Sequence, residues 1–245
     1  MRVHIVTISR PGSRFNLFKF DLDNNVSTET LLGYYSHPLF TMIEKLQFIT
    51  TTAALAEQAC SGGVRWIQLR LKDISHEAYK TEALKVQQVC KRYDAKFIID
   101  DNVALALEIN ADGVHIGKED MSLKEARALL GNDFIIGCTA NTIEDIIAVA
   151  AQSQTDYIGL GPYRFTATKK KLSPILGLEG YQYIFNSLKQ RNMVVPPVIG
   201  IGGIEAEDIS ALLQTGLHGV AVSGAIANEK DIRDAAKKFV DLCAA

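Results

Sequence analysis

From about Glu44 onward the chain alternates between two textures. Short runs rich in Val, Ile, Leu and Phe recur at 46–50, 66–70, 96–100, 113–117, 135–139, 157–161, 197–201 and 219–223. Longer amphipathic segments lie between them, among them 78–93, 122–130, 142–151, 205–213 and 231–242. The runs are nearly continuous in apolar character, the pattern of strands covered on both faces. Strand–helix–strand alternation implies right-handed parallel βαβ units. About eight strands is the number that closes a parallel barrel. An open, doubly wound sheet would carry a Gly-rich turn after its first strand. Here Thr51, Thr52 and Ala53 follow that strand, and the glycines gather after the late strands instead. The expected fold is therefore α/β, a (β/α)8 TIM barrel over 42–245.

Residues 1–41 stand outside this repeat as an N-terminal extension of uncertain structure. Residues 2–9 could form a strand, and 14–22 mix apolar and polar positions. The segment reads either as an extra strand pair covering the barrel bottom or as a flexible extension. Met42, just before the first strand, offers a second start. The apolar stretch 4–8 is too brief for a signal-peptide core, and no small-residue cleavage site follows.

Composition narrows the functional classes. The chain has 245 residues, 47% hydrophobic and 22% charged, with a formal net charge of −2. A chain this long buries a sufficient core without disulfides or a structural metal. The charge gives no reason to expect nucleic acid or an anionic membrane as partner. No run reaches bilayer-spanning length. Cys60, Cys90, Cys138 and Cys243 are scattered and form no CxxC pair, so they read as reduced apolar residues in a cytoplasmic protein.

Barrel active sites lie at the C-terminal ends of the strands. At the end of strand two, alternation puts Gln68, Arg70 and Lys72 on one face. Two cations there need an anion, supplied either by a ligand such as pyrophosphate or by internal ion pairs. Strand three ends in Asp100, Asp101 and Asn102, and strand four leads through His115 to Asp120. Carboxylates on neighbouring strand ends suit magnesium, for which Asp101 and Asp120 are the chosen ligands. Asp100–Asn102 also fits a helix N-cap. His115, a lone histidine on a strand, is more often a satisfied core residue than a catalytic one. After strand six, a long loop carries Thr166, Thr168 and Lys169, whose hydroxyls and ammonium can hold phosphate oxygens. Lys170 and Lys171 read as solvated. The turns at Gly202-Gly203 and Ser223-Gly224 leave backbone N–H groups open to an anion at a helix start.

These motifs together resemble thiamine-phosphate synthase and its thiazole tautomerase branch, over roughly 44–243. The resemblance rests on Gln68-x-Arg70-x-Lys72, Asp100-Asp101 and the segment 112–120. It also rests on Gly161-Pro162 with Thr166-x-Thr168-Lys169, on Gly202-Gly203-Ile204 and on 222–226. It implies a Mg²⁺-dependent transferase that joins a hydroxymethylpyrimidine pyrophosphate to a thiazole phosphate. Asp101 and Asp120 would bind Mg²⁺, and Arg70, Lys72 and Lys169 the pyrophosphate. Gln68 and Thr139 would contact the pyrimidine, with His115 and Asp100 nearby. Thr166, Thr168, Gly203, Ser223 and Gly224 would serve the thiazole phosphate. Two departures stand out. The family usually has Asn-Asp at Asp100-Asp101, and often Ser-x-His where this chain has Thr139-Ala140-Asn141. Asparagine cannot shuttle a proton at neutral pH, which favours the synthase over the tautomerase. A non-catalytic barrel sensing a phosphate ligand and a Schiff-base aldolase using Lys72 or Lys169 are the other readings. The partners expected are the two small-molecule substrates, and a homo-oligomer stays open.

Overall fold

The computed structural model describes residues 5–6, 18–19, 43–165 and 174–245. The chain divides into two compact units, Met1–Phe40 and Thr41–Ala245. In the first, Ile5–Val6 and Phe18–Lys19 pair antiparallel. The other expectations for 1–42, and those for Thr166, Thr168 and Lys169, fall outside the described residues.

The second unit is a closed parallel barrel. Its strands are β1 (Leu46–Thr50), β2 (Trp66–Leu69), β3 (Lys96–Asp100), β4 (Gly113–Ile116), β5 (Ile135–Ala140), β6 (Tyr157–Leu160), β7 (Val198–Ile201) and β8 (Gly219–Val222), with β8 pairing back onto β1. The helices are α1 (Ala53–Ser61), α2 (His76–Tyr93), α3 (Val103–Glu108), α4 (Leu123–Leu130), α5 (Ile143–Gln152), α6 (Gly177–Gln190), α7 (Ile209–Gln214), α8 (Gly224–Ala227) and α9 (Ile232–Ala244). Local chemistry starts most of them. Thr52, Ser75, Asn102, Ser122, Thr142 and Asp231 each accept a backbone N–H from the first turn of the helix that follows. Ser122 with Glu125 and Thr142 with Asp145 form full capping boxes.

Periodicity singles out neither α1, α3 nor α8. The first is built largely from alanine, and the others span under two turns, so none shows a contrasting polar face. The helix expected over 205–213 is split into a 3₁₀ turn, Ala206–Asp208, and α7. The Asp208 carboxylate accepts from Glu205 N and tightens that first turn. Among the described residues no helix is long and apolar enough to cross a membrane. The four cysteines are buried and free, and burial pushes the Cys60, Cys138 and Cys243 thiols up to about 11.

Alternation divides the apolar side chains into two cores. One lies between strands and helices. The other fills the barrel interior with Ile49, Trp66, Ile98, Ile135, Tyr157, Ile199 and Ala221. Trp66 and Tyr157 meet edge to face at 4.8 Å and form its floor. Gly137 makes room for the tyrosine, because a Cβ there would lie 2.0 Å from the ring carbon Cζ. On the far side, the chain leaving β6 is stapled to β7. Tyr163 N donates to Ile201 O and Arg164 N to Gly202 O, both at 2.9 Å. The Arg164 guanidinium donates to both oxygens of buried Asp208, at 2.5 and 2.7 Å.

Two outcomes follow from this packing. Gly137→Ala should cost roughly 1–3 kcal/mol through overpacking against the tyrosine ring, read as a lower urea midpoint with unchanged m-value. Burial pushes the Asp208 carboxyl up, but hydrogen bonds from Arg164, Glu205 N and Tyr163 carry it below the usual carboxylate range. Its folded-state pKa is lowered, so its stabilisation is full above the unfolded value of about 3.9 and is lost as pH falls through the folded value. Asp208→Asn should lose roughly 1–3 kcal/mol at pH 7 and flatten the stability curve below about pH 4, measured by urea titration at stepped pH.

Candidate active site

The inner-face parity that seats Trp66 on the barrel floor also turns Gln68 inward, and Arg70 and Lys72 leave the strand just above it. Asp100 ends β3, in register with His115 on β4. One Asp100 oxygen accepts from Gln68 Nε2 at 2.6 Å. The other lies 3.2 Å from both Arg70 Nε and Lys72 Nζ. Lys72 also pairs with Asp101. Two cations and two carboxylates therefore form one balanced cluster. The internal ion pairs weighed from the sequence are present, at the strand ends where a ligand would bind.

Asp101 sits at φ +60°, a left-handed conformation that Asp tolerates better than most residues. Its N–H donates to His115 O, which turns the carboxylate over the strand-four end. The capping role falls to Asn102, which accepts from Leu105 N. Asp120 Oδ2 accepts from Gly117 N at 2.9 Å. A Cβ placed on Gly117 would lie 2.7 Å from Asp120 Oδ2 and 3.7 Å from Asp101 Oδ1. Both carboxylates thus flank one small space that only glycine leaves clear. Among the described residues no group of three or more His, Cys, Asp or Glu is arranged to hold a metal. Two carboxylates with room for water and phosphate oxygens is the donor set that magnesium takes.

Beneath this cluster a polar chain crosses the barrel. Gln47 Nε2 donates to the Tyr157 hydroxyl at 3.2 Å. That hydroxyl lies 3.0 Å from His115 Nδ1, and His115 Nε2 lies 3.1 Å from Thr139 Oγ1. His115 is therefore both a satisfied buried residue and a neighbour of the cluster. Burial pushes the Tyr157 hydroxyl far above the ordinary tyrosine range. Sequence reading missed Gln47 and Tyr157. Their inward parity was legible, but a tyrosine in an apolar run reads as packing. It also missed Arg164 and Asp208, whose contact joins segments 44 positions apart.

On the far side of the same rim, Gly202 and Gly203 take φ +98° and +68°, where side-chain-bearing residues are strained. Arg164 donates to Gly203 O at 2.9 Å and holds that turn. Ser223 immediately precedes α8, and its side chain makes no capping bond. Gly224 starts that helix close to Asn228. Gln68, Arg70, Lys72, Asp100, Asp101, Asp120, His115 and Thr139 therefore come together on the β2–β5 side, with Gly203, Ser223 and Gly224 at β7–β8.

Known proteins resemble this chain in sequence and in fold. The family model described as thiamine monophosphate synthase matches residues 41–226. Thiamine-phosphate synthase of Phocaeicola vulgatus is 48% identical over 204 residues, 81% of this chain and 97% of that protein. The Bacteroides thetaiotaomicron protein of the same name is 46% identical over 203 residues, 80% of this chain and 96% of that one. Thiamine phosphate pyrophosphorylase from Pyrococcus furiosus superposes with a TM-score of 0.72 at 30% identity, over 82% of this chain and 95% of that chain. The fold and the sequence match agree, and the chain is a transferase that belongs to the thiamine monophosphate synthase family.

Proposed function

We propose that the chain condenses 4-amino-2-methyl-5-hydroxymethylpyrimidine pyrophosphate with a thiazole phosphate to give thiamine phosphate and pyrophosphate. The observation that carries this reading is the meeting of Arg70, Lys72, Asp100 and Asp101 at one barrel rim, with Asp120 across Gly117.

The reaction breaks the C–O bond to the pyrophosphate and forms a C–N bond from the ring methylene to the thiazole nitrogen. Both electrons of the C–O bond leave with the pyrophosphate, so the methylene carries cationic character until the nitrogen lone pair reaches it. No protein nucleophile is needed. Arg70 and Lys72, with Lys169 carried over from the resemblance, would neutralise the charge growing on the leaving group. Groups fixed before the reaction begins do this without reorganisation. Asp101 and Asp120 would hold Mg²⁺, which when bound supplies further neutralisation of the pyrophosphate oxygens. Asp101 would then turn from Lys72 to the metal and leave the ammonium to face phosphate.

Gln68, Thr139 and His115 line the space below and would seat the pyrimidine. Gly203, Ser223 and Gly224, together with Thr166 and Thr168, would take the thiazole phosphate through backbone N–H groups and hydroxyls. Asn141 donates to Gly161 O at 2.5 Å and offers no titratable proton, which supports the synthase over the tautomerase. A cytoplasmic location fits the free, buried cysteines.

Mass-spectrometric detection of thiamine phosphate from the two substrates and Mg²⁺ tests the reading. Well-folded protein that forms none overturns it. Chelation with EDTA should abolish turnover, and Mg²⁺ should restore it. Asp101→Ala should lower kcat/KM by about 10²–10³-fold while circular dichroism stays unchanged. Arg70→Ala should lower kcat by a comparable factor of about 10². A loss confined to KM would show that Arg70 binds ground state and transition state alike.

A further inference from the structure

Among the described residues, two buried side-chain polar atoms have no hydrogen-bond partner: Trp66 Nε1 and Gln68 Oε1. They are two positions apart on the inner face of β2, one a donor and one an acceptor. Buried polar atoms are almost always paired, so the unpartnered Gln68 carbonyl, above the floor that holds Trp66, marks a place where a polar ligand completes the bonding.

The polarity of the Gln68 amide follows from its neighbour. Oxygen and nitrogen of an amide are assigned from their hydrogen-bond partners. Here the partner at 2.6 Å is the Asp100 carboxylate, which only accepts. The NH₂ end must therefore face Asp100 and the carbonyl must face away. Asp100 is held in turn by Arg70 and Lys72, so the direction is locked from the charged rim downward. Gln68 is only 2% exposed, and turning its amide would set the carbonyl against the carboxylate, acceptor against acceptor.

We propose that Asp100 is a specificity-determining positioning residue: it fixes Gln68 with its carbonyl presented to the ligand, so that the pocket selects a ring bearing an N–H donor over one bearing a carbonyl at the same place. Resting on the pyrimidine reading above, this names the group on the ring that is recognised. An asparagine at position 100 would offer both a donor and an acceptor, and the Gln68 amide could then turn either way. The discrimination would fall although Gln68 itself is unchanged.

The test uses monophosphate esters of the 4-amino pyrimidine and of its 4-oxo counterpart, which keep the ring and an anion but lack the pyrophosphate leaving group. Their affinities are measured calorimetrically on the full chain and on Asp100→Asn. A site built to bond a ligand N–H rejects the analogue lacking it, so the unaltered chain should prefer the amino ring by about 10²-fold or more. Asp100→Asn should reduce that ratio at least tenfold, roughly the effect of one buried hydrogen bond to a charged group. A merely structural role would weaken both ligands equally and leave the ratio in place. No preference in the unaltered chain, or an unchanged ratio in Asp100→Asn, overturns the proposal, as does failure of both esters to bind. Should Asp100→Asn fail to fold, Gln68→Met keeps the volume and removes the acceptor, and the ratio must then fall to within about twofold of one. A preserved preference without any thiamine phosphate formation would sink the synthase reading and leave this inference standing.

Discussion

Closing eight parallel strands on themselves forces their inward side chains into one small shared volume. Each strand contributes alternate residues, and the space is filled in layers. Trp66 and Tyr157 take so much of the lowest layer that Gly137 is left without a side chain. Above that floor, toward the strand C-termini, the inward positions are left for polar side chains, while Gln47 beside it is satisfied by the Tyr157 hydroxyl. Gln68, Asp100, His115 and Thr139 meet for this reason, although they come from four different strands.

Desolvation governs what can happen in the layer above. A buried unpaired charge is costly, so the cations at Arg70 and Lys72 are held by Asp100 and Asp101 within the protein itself. The resting cluster is balanced, and a ligand must exchange partners with it rather than fill an open charge. Of the two sequence readings of the cations, the internal ion pairs are the one the structure contains. The cations are ion-paired at rest, at the strand ends where the proposed reaction would need them. That constraint also gives Asp100 a place, since it orients the amide below while neutralising the cations above.

The far side of that rim obeys a different rule. Gly202 and Gly203 adopt left-handed conformations, and Arg164 ties their turn to Asp208. Backbone rather than charge is presented there. A ligand with one strongly anionic end and one more modest end would meet a rim of matching asymmetry.

Much of the fold was legible in order. All eight strand runs fall within one residue of the observed strands at each end, because an apolar run between caps is a local signal. Ser122 and Thr142 marked helix starts for the same reason. The identities of Gln68, Arg70, Lys72, Asp101 and Asp120 were also available, since parity and strand-end position point to them without coordinates. Three things were not. The carboxylate at the split of the expected helix, Asp208, is held by an arginine 44 positions away. The chain from Gln47 through Tyr157 to His115 crosses the barrel between strands that are not neighbours in sequence. The direction of the Gln68 amide depends on a carboxylate from the adjacent strand. Periodicity and capping are properties of neighbouring residues, so the sequence alone determines which segments become strands and helices and which residues face inward. Hydrogen-bond polarity and charge pairing depend on what lies across a few ångströms of low-dielectric space, and only barrel closure decides that.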